Sequence, residues 1–211
     1  MATVAKLVEA LAQTLIVPGS EVHHMARRLR EAGLLPAEGR GRGAPSVTPD
    51  DAARLLIVVL AADIATRAPE AVRAVDQEGP AVHGVFIKKS LVVAPAGTFV
   101  QAVAHIIERL ANPASQGQWY NTVRCVGVRR TGDSRPSGWI EVVGGHRTTY
   151  GSHITLHAYA AHPEVGAVGT SDGHIGEPRR PTEPKILPGL TQERLVGVRE
   201  LFCMARLFEG R

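Results

Sequence analysis

Basic side chains are concentrated between residues 20 and 42 of the 211-residue chain, at spacings that place them on shared surfaces. The first group alternates with an apolar stripe at helical spacing, so a helix would bury the stripe and present the polar residues outward. The outward set comprises Ser20, His23, His24, Arg27, Arg28 and Arg30. In a following segment, Arg40 and Arg42 alternate with Gly39, Gly41 and Gly43. Arginine forks match phosphate oxygens and glycine permits close backbone approach, so both groups suit a polyanion.

Two helices and a loop must position these groups. Apolar residues at helical spacing predict a helix over 4–15, and Pro18 with Gly19 predicts a turn after it. Ser20 is the expected N-cap of the second helix, which Gly33 should end. This order of elements, followed by a flexible basic loop, is that of a winged helix-turn-helix. The second helix would enter the major groove of double-stranded DNA, and the loop arginines would contact the adjacent backbone or minor groove.

A third helix is predicted after the loop. Thr48, Pro49 and Asp51 supply an N-cap, a proline at the first helical position and an acidic residue three positions after the cap. The apolar spacing that follows leads us to expect this helix to run to about Ala74.

Three segments together resemble the winged helix-turn-helix of MerR-type regulators. They are ARRLREAGLLP at 26–36, GRGRG at 39–43 and VTPDDAARLLIVV at 47–59. The resemblance covers about 70 residues and implies a DNA-binding fold. It places Arg27 where that family has a DNA-contacting arginine, while Arg28 and Leu29 replace the family's neighbouring aromatic pair.

Overall charge gives little guidance, because 24 Lys and Arg against 20 Asp and Glu leave a formal net charge of +4. Within residues 1–75 the balance is nine basic to eight acidic residues, so a positive field there must come from arrangement. Solvated surface is the alternative interpretation of each basic group taken alone. Aromatic residues make up 4% of the chain, which disfavours stacking on single strands and favours duplex DNA.

The pattern changes after the polar stretch 76–80, so we expect a DNA-binding domain over 1–76 and a second domain over 77–211 for oligomerisation, partner contact or effector sensing. The expected elements there are short strands within 82–94, a helix capped by Thr98, a loop at 112–117, strands at 119–128, 139–143 and 154–160, an extended connection at 165–189, and a helix over 190–209 capped by Thr191. Such elements predict an α+β fold with a small antiparallel sheet and a final helix. That helix would pack on its own domain or on a second subunit.

Catalytic and metal-binding signatures are missing from the sequence. Cys125 and Cys203 form no zinc pattern or disulfide framework, and Cys125 is expected to be a core thiol. His153 and His157 would share one face of a strand, but no established metal-ligand spacing surrounds them. No nucleophile elbow or phosphate-binding glycine loop is present. We therefore expect no enzyme activity, no metal and no cofactor, with a metal-dependent enzyme as the weaker alternative.

Arginines also fall on the two expected hairpin connectors. They are Arg129, Arg130, Arg135 and Arg147. Ordinary solvated turns are the favoured interpretation, and a second phosphate-contacting patch is the alternative.

The sequence as a whole favours a cytoplasmic, sequence-specific DNA-binding protein, expected to act in transcription regulation as a homodimer, with RNA polymerase as a candidate partner. Its longest apolar run, 55–62, is too short for a membrane span. The alternatives are a phage or prophage protein of DNA packaging or development, and a non-enzymatic module whose helix-turn-helix contacts another protein.

Overall fold

The structure is a computed structural model that describes residues 2–37, 45–62, 64–76, 85–87, 90–92, 97–131, 136–142, 147–150 and 191–209. Its helices are α1 Val4–Leu15, α2 Gly19–Glu31, α3 Pro49–Ala61, α4 Ala68–Val75, α5 Phe99–Ala111, α6 Pro113–Tyr120 and α7 Val198–Ala205. Its strands are β1 Val85–Ile87, β2 Ser90–Val92, β3 Val123–Thr131, β4 Ser137–Val142, β5 Arg147–Tyr150 and β6 Thr191–Gly197. The expected α+β class is confirmed.

Capping residues fix the starts of the helices in the first half. The Thr3 side chain accepts a hydrogen bond from the Lys6 N–H at the start of α1. At the start of α3, Thr48 and Asp51 form a reciprocal capping box, with the Thr48 N–H donating to Asp51 Oδ2 at 2.8 Å. The start predicted at Thr48 is therefore confirmed.

The third helix does not run to Ala74 as predicted. It ends at Ala61 because Ala62 adopts an extended backbone, and a single 3₁₀ turn at Ala65–Arg67 separates it from α4. Pro69 lies in the first turn of α4, where its missing N–H costs no helical hydrogen bond. Apolar periodicity continues through this break, so the pattern alone concealed it.

Four strands form an antiparallel sheet in the order β5-β4-β3-β6, and β1 pairs with β2 in a separate hairpin. Val126 of β3 lies opposite Ile140 of β4 and Val196 of β6, which places three buried residues on the face toward the helices. On the same face, Phe99 of α5 packs directly on Gly138. The contact between the Phe99 ring and Gly138 thus holds the sheet against α5.

Three expectations for the second half were wrong in detail. Residues 191–197 form strand β6 rather than the start of a helix, because their backbone pairs with β3, and the final helix begins at Val198. Asn112 caps helix α6 where a loop was expected, and α6 keeps Trp119 and Tyr120 out of the strand. Residues 147–150, expected in a connector, pair with β4 as β5.

One continuous hydrophobic core joins the first and last described elements. Helix α3 packs on α5, and α1 packs on α7, so Leu7 and Met204 belong to the same buried cluster. This core crosses the division expected at residue 76. Residues 154–160 and 165–189, which were expected to be a strand and an extended connection, lie outside the described residues. Across the described ranges, no helix combines the length and the apolarity needed to cross a membrane.

Candidate nucleic-acid interface

Helix α2 has one buried side and one exposed side. Its buried residues are Val22, Met25, Ala26 and Leu29, all within 1% of complete burial, and they pack in the core that also contains α1. Glu21 and Glu31 are exposed, and so are the predicted residues Ser20, His23, His24, Arg27 and Arg28. They recur three and four positions apart, so they line one face of the helix. The structure thus brings together five of the six residues predicted on this helix.

Arg30 differs from the other predicted residues. It lies at the edge of the exposed face and is half-buried, although it was expected among the fully outward residues. Successive residues of an α-helix point in directions 100° apart, so Arg30 points midway between the buried Leu29 and the exposed Glu31.

The link between α1 and α2 contains three residues, Ile16, Val17 and Pro18, a length typical of a helix-turn-helix. The prediction that Ser20 caps α2 was wrong, because Pro18 occupies the N-cap and its carbonyl accepts hydrogen bonds from the N–H groups of Glu21 and Val22. Ser20 lies inside the first turn instead, with its side chain exposed.

The other end of α2 directs the chain back to the core. Gly33 has φ +71°, a left-handed conformation that glycine adopts without penalty, and the Leu34 N–H donates to the Leu29 carbonyl at 2.8 Å. Leu35 is then buried. Further along the chain, just before α3, Val47 is buried and its N–H donates to the Ala2 carbonyl at 3.0 Å. Arg40 and Arg42, the predicted loop contacts, lie outside the described residues.

A glutamate that the sequence analysis did not include holds both arginines of the exposed face. Arg27 Nε lies 2.8 Å from Glu31 Oε1, and Arg28 Nη1 lies 2.9 Å from Glu31 Oε2. The hydrogen bond from Arg27, followed by that from Arg28, lowers the pKa of the Glu31 carboxyl below its ordinary value. The spacing of four and three positions was visible in the sequence and predicts such pairs.

Arg27, Arg28 and Glu31 together carry one positive charge in excess, and Glu21 is a second exposed carboxylate on this helix. Two guanidinium groups share one carboxylate, and the Arg27 and Arg28 side chains keep 64% and 48% of their surface exposed. Surface pairs of this kind contribute little to stability, so the guanidinium groups can exchange Glu31 for another anion at small cost. The arrangement can therefore bind a phosphate.

Ile16 was also missed by the sequence analysis. It has φ +55°, and no other non-glycine residue in the described part of the chain has a positive φ. Its side chain is 93% exposed, more than any other large hydrophobic side chain in those ranges. The sequence Leu-Ile-Val-Pro gives no sign of this, because it has the composition of a buried segment.

The sheet also carries arginines, but in a different setting from the one predicted. Arg129 and Arg130 lie within β3 and Arg147 lies within β5, rather than on turns, because β3 extends beyond residue 128 and β5 forms where a connector was expected. Arg129 pairs with Glu193 of β6 at 3.4 Å, and Arg124 pairs with Glu141 of β4 at 3.3 Å. Arg135 lies outside the described residues. Arg124 and Arg129 thus contact carboxylates of neighbouring strands, whereas Arg194 of β6 donates from Nη1 to the Ala62 carbonyl at 3.2 Å.

Cysteine and histidine give no second site among the described residues. Cys125 is buried in β3, as expected of a core thiol, and Cys203 is exposed. No cluster of three or more possible metal ligands occurs in the ranges that the structure covers. His153 and His157 fall outside those ranges.

Comparison of the chain with protein-family models, with curated proteins and with solved structures finds no match in any of the three. The resemblance to MerR-type regulators therefore stays a prediction from three sequence segments.

Proposed function

We propose that this protein is a cytoplasmic, sequence-specific binder of double-stranded DNA and acts as a regulator of transcription. The observation that carries the proposal is the two-sided character of α2. One side of α2 is buried in the core. The other side presents Ser20, two histidines and two arginines directly after a three-residue turn. A recognition helix needs this combination, because the core must hold it rigidly while its outer side chains enter the major groove.

Within this proposal, the side chains of α2 have separate tasks. Arg27 and Arg28 contact phosphates or the acceptor atoms of guanine, for which a forked donor is suited. His23, His24 and Ser20 lie nearer the start of the helix, which is the part that contacts base edges in a helix-turn-helix. Arg40 and Arg42 contact the neighbouring backbone or minor groove. Two copies related by a twofold axis would read two half-sites.

The first test is binding to duplex DNA as a function of salt concentration. A pool of random 30-base-pair duplexes is selected on the full chain, and the affinity for recovered duplexes is measured by fluorescence anisotropy. The double variant Arg27→Ala with Arg28→Ala should reduce the slope of log affinity against log salt by about 0.9 for each lost phosphate contact. Arg40→Ala with Arg42→Ala should also reduce it.

A matched control is available on the sheet. Arg124→Ala with Arg129→Ala removes two arginines that also contact glutamate, yet it should leave both affinity and slope unchanged. If no duplex binds at low salt, or if the sheet variant loses as much affinity as the α2 variant, the proposal is wrong. A bound protein partner without DNA affinity would instead favour an interaction module.

A further inference from the structure

We infer that Ile16 contacts the 5-methyl group of a thymine in the major groove, so that this residue contributes to the sequence specificity of the DNA-binding face. The inference rests on the proposed function, because it assumes that α2 enters duplex DNA. It goes beyond that function by assigning one apolar side chain to one apolar group of the target.

The backbone at Ile16 has an unfavourable conformation. A left-handed conformation brings the Cβ atom of an L-residue close to its own carbonyl oxygen, and a β-branched residue tolerates it least. Ile16 nevertheless has φ +55° and ends α1, where its N–H donates to the Ala12 carbonyl. Turns of this kind often contain glycine, which has no such penalty. The isoleucine side chain is therefore not explained by the turn.

The side chain of Ile16 is also exposed. At 93% exposure, the side chain contributes almost nothing to the core, whereas the neighbouring Leu15 and Val17 pack against it. The left-handed backbone lowers stability, and the exposed side chain gains nothing from the core to offset this cost. Backbone strain of this kind is retained at functional sites, which points to a contact outside the chain.

The position of Ile16 identifies that contact. It lies three residues before Gly19, at the end of α2 that a recognition helix directs toward the bases. In the major groove, the thymine methyl is the apolar group that distinguishes one base from the others, and apolar side chains read it. Ser20, His23 and His24 follow Ile16 in the first turns of α2 and are exposed, so they supply polar contacts. Ile16 supplies the apolar contact that they lack.

The experiment removes the methyl group from the DNA and the side chain from the protein. Each thymine of a duplex recovered by selection is replaced in turn by uracil, which keeps the hydrogen-bonding edge and lacks the methyl. The unaltered protein should lose about fourfold in affinity at one thymine of each half-site, the effect of one buried methyl group. The Ile16→Gly variant should bind more weakly to the thymine duplex and show no further loss with uracil.

Two controls separate contact from folding. Ile16→Gly should unfold at the same temperature as the unaltered protein or at a higher one, because it relieves the left-handed strain without opening the core. Leu195→Ala removes another exposed hydrophobic side chain, 57% exposed on β6, and should leave the uracil effect intact.

The outcomes distinguish the two proposals. If duplexes bind through Arg27 and Arg28 but the uracil scan gives the same profile for the unaltered protein and for Ile16→Gly, this inference is wrong and the proposed function stands. If no duplex is recovered, both are wrong.

Discussion

Helix α2 and strand β3 each carry two arginines that contact glutamate, yet the pairs leave different surfaces. On β3, Arg124 and Arg129 contact separate glutamates on the strands to either side. On α2, Arg27 and Arg28 share Glu31, so these three side chains carry one positive charge in excess, beside a second exposed carboxylate, Glu21. Each of the two strand arginines has its own carboxylate on a neighbouring strand, whereas the two helix arginines share one. A count of arginines along the sequence does not reveal this difference.

The largest expected effect is a loss of stability when the packing of the sheet against α5 is disturbed. A Cβ atom added at Gly138 would lie 2.4 Å from the Phe99 ring, which is completely buried. Gly138→Ala should therefore lower the free energy of unfolding by about 3 kcal/mol, since a closely packed core has no space for an added methyl group. Urea denaturation followed by circular dichroism measures the loss.

Gly117 in α6 provides the matched substitution, because a Cβ atom there would meet no other group within 4 Å. Gly117→Ala should raise stability by up to about 1 kcal/mol through helix propensity. Equal behaviour of the two variants would show that the sheet tolerates change as readily as an exposed helix.

A smaller effect is expected when the shared glutamate of α2 loses its charge. Glu31→Gln releases Arg27 and Arg28 from a competing carboxylate, so affinity for duplex DNA should rise about fivefold at low salt. Glu193→Gln makes the same change beside Arg129 on the sheet and should leave the affinity unchanged. A fall in affinity for Glu31→Gln would mean that the carboxylate orders the two arginines for binding rather than competing with DNA.

The smallest expected effect is a pH dependence of stability at α5. Burial, and then the charge of Arg109, lower the pKa of His105 below 6.5. The His105 ring packs edge-on against Trp119 with centroids 5.2 Å apart, and its Nε2 accepts a hydrogen bond from Arg109 Nε. The folded protein therefore favours the neutral ring. Its contribution is fully present above the ordinary pKa and is lost as the pH falls below it.

His105→Gln should reduce the loss of stability between pH 7 and pH 5 by less than about 1 kcal/mol, because the site is only half-buried. Thermal unfolding of the two proteins across this range measures the difference. A larger slope in the variant would contradict the assignment.

Local sequence signals predicted the parts of the fold that depend on neighbouring residues. Thr48 and Thr98 each begin a helix with a reciprocal capping box, as their spacing indicated. The predicted buried and exposed faces of α2 also agree with the structure, since helical periodicity specifies them.

Other features depend on partners distant in sequence. Residues 191–197 have a composition compatible with a helix, and they become a strand only because the edge of β3 is available to them. The exposure of Ile16 depends on how α1 and α2 pack, which the apolar tetrapeptide Leu-Ile-Val-Pro does not specify. Tertiary contacts therefore decided the features that local propensity left open.

The packing of α1 against α7 has a consequence for how the chain acquires its structure during synthesis. Leu7 leaves the ribosome well before Leu201 and Met204, which share its buried cluster. A growing chain that ends before α7 leaves part of the apolar face of α1 uncovered, and exposed faces of this kind recruit chaperones. The exposed face of α2, which α1 supports, thus gains its full support only after α7 has emerged.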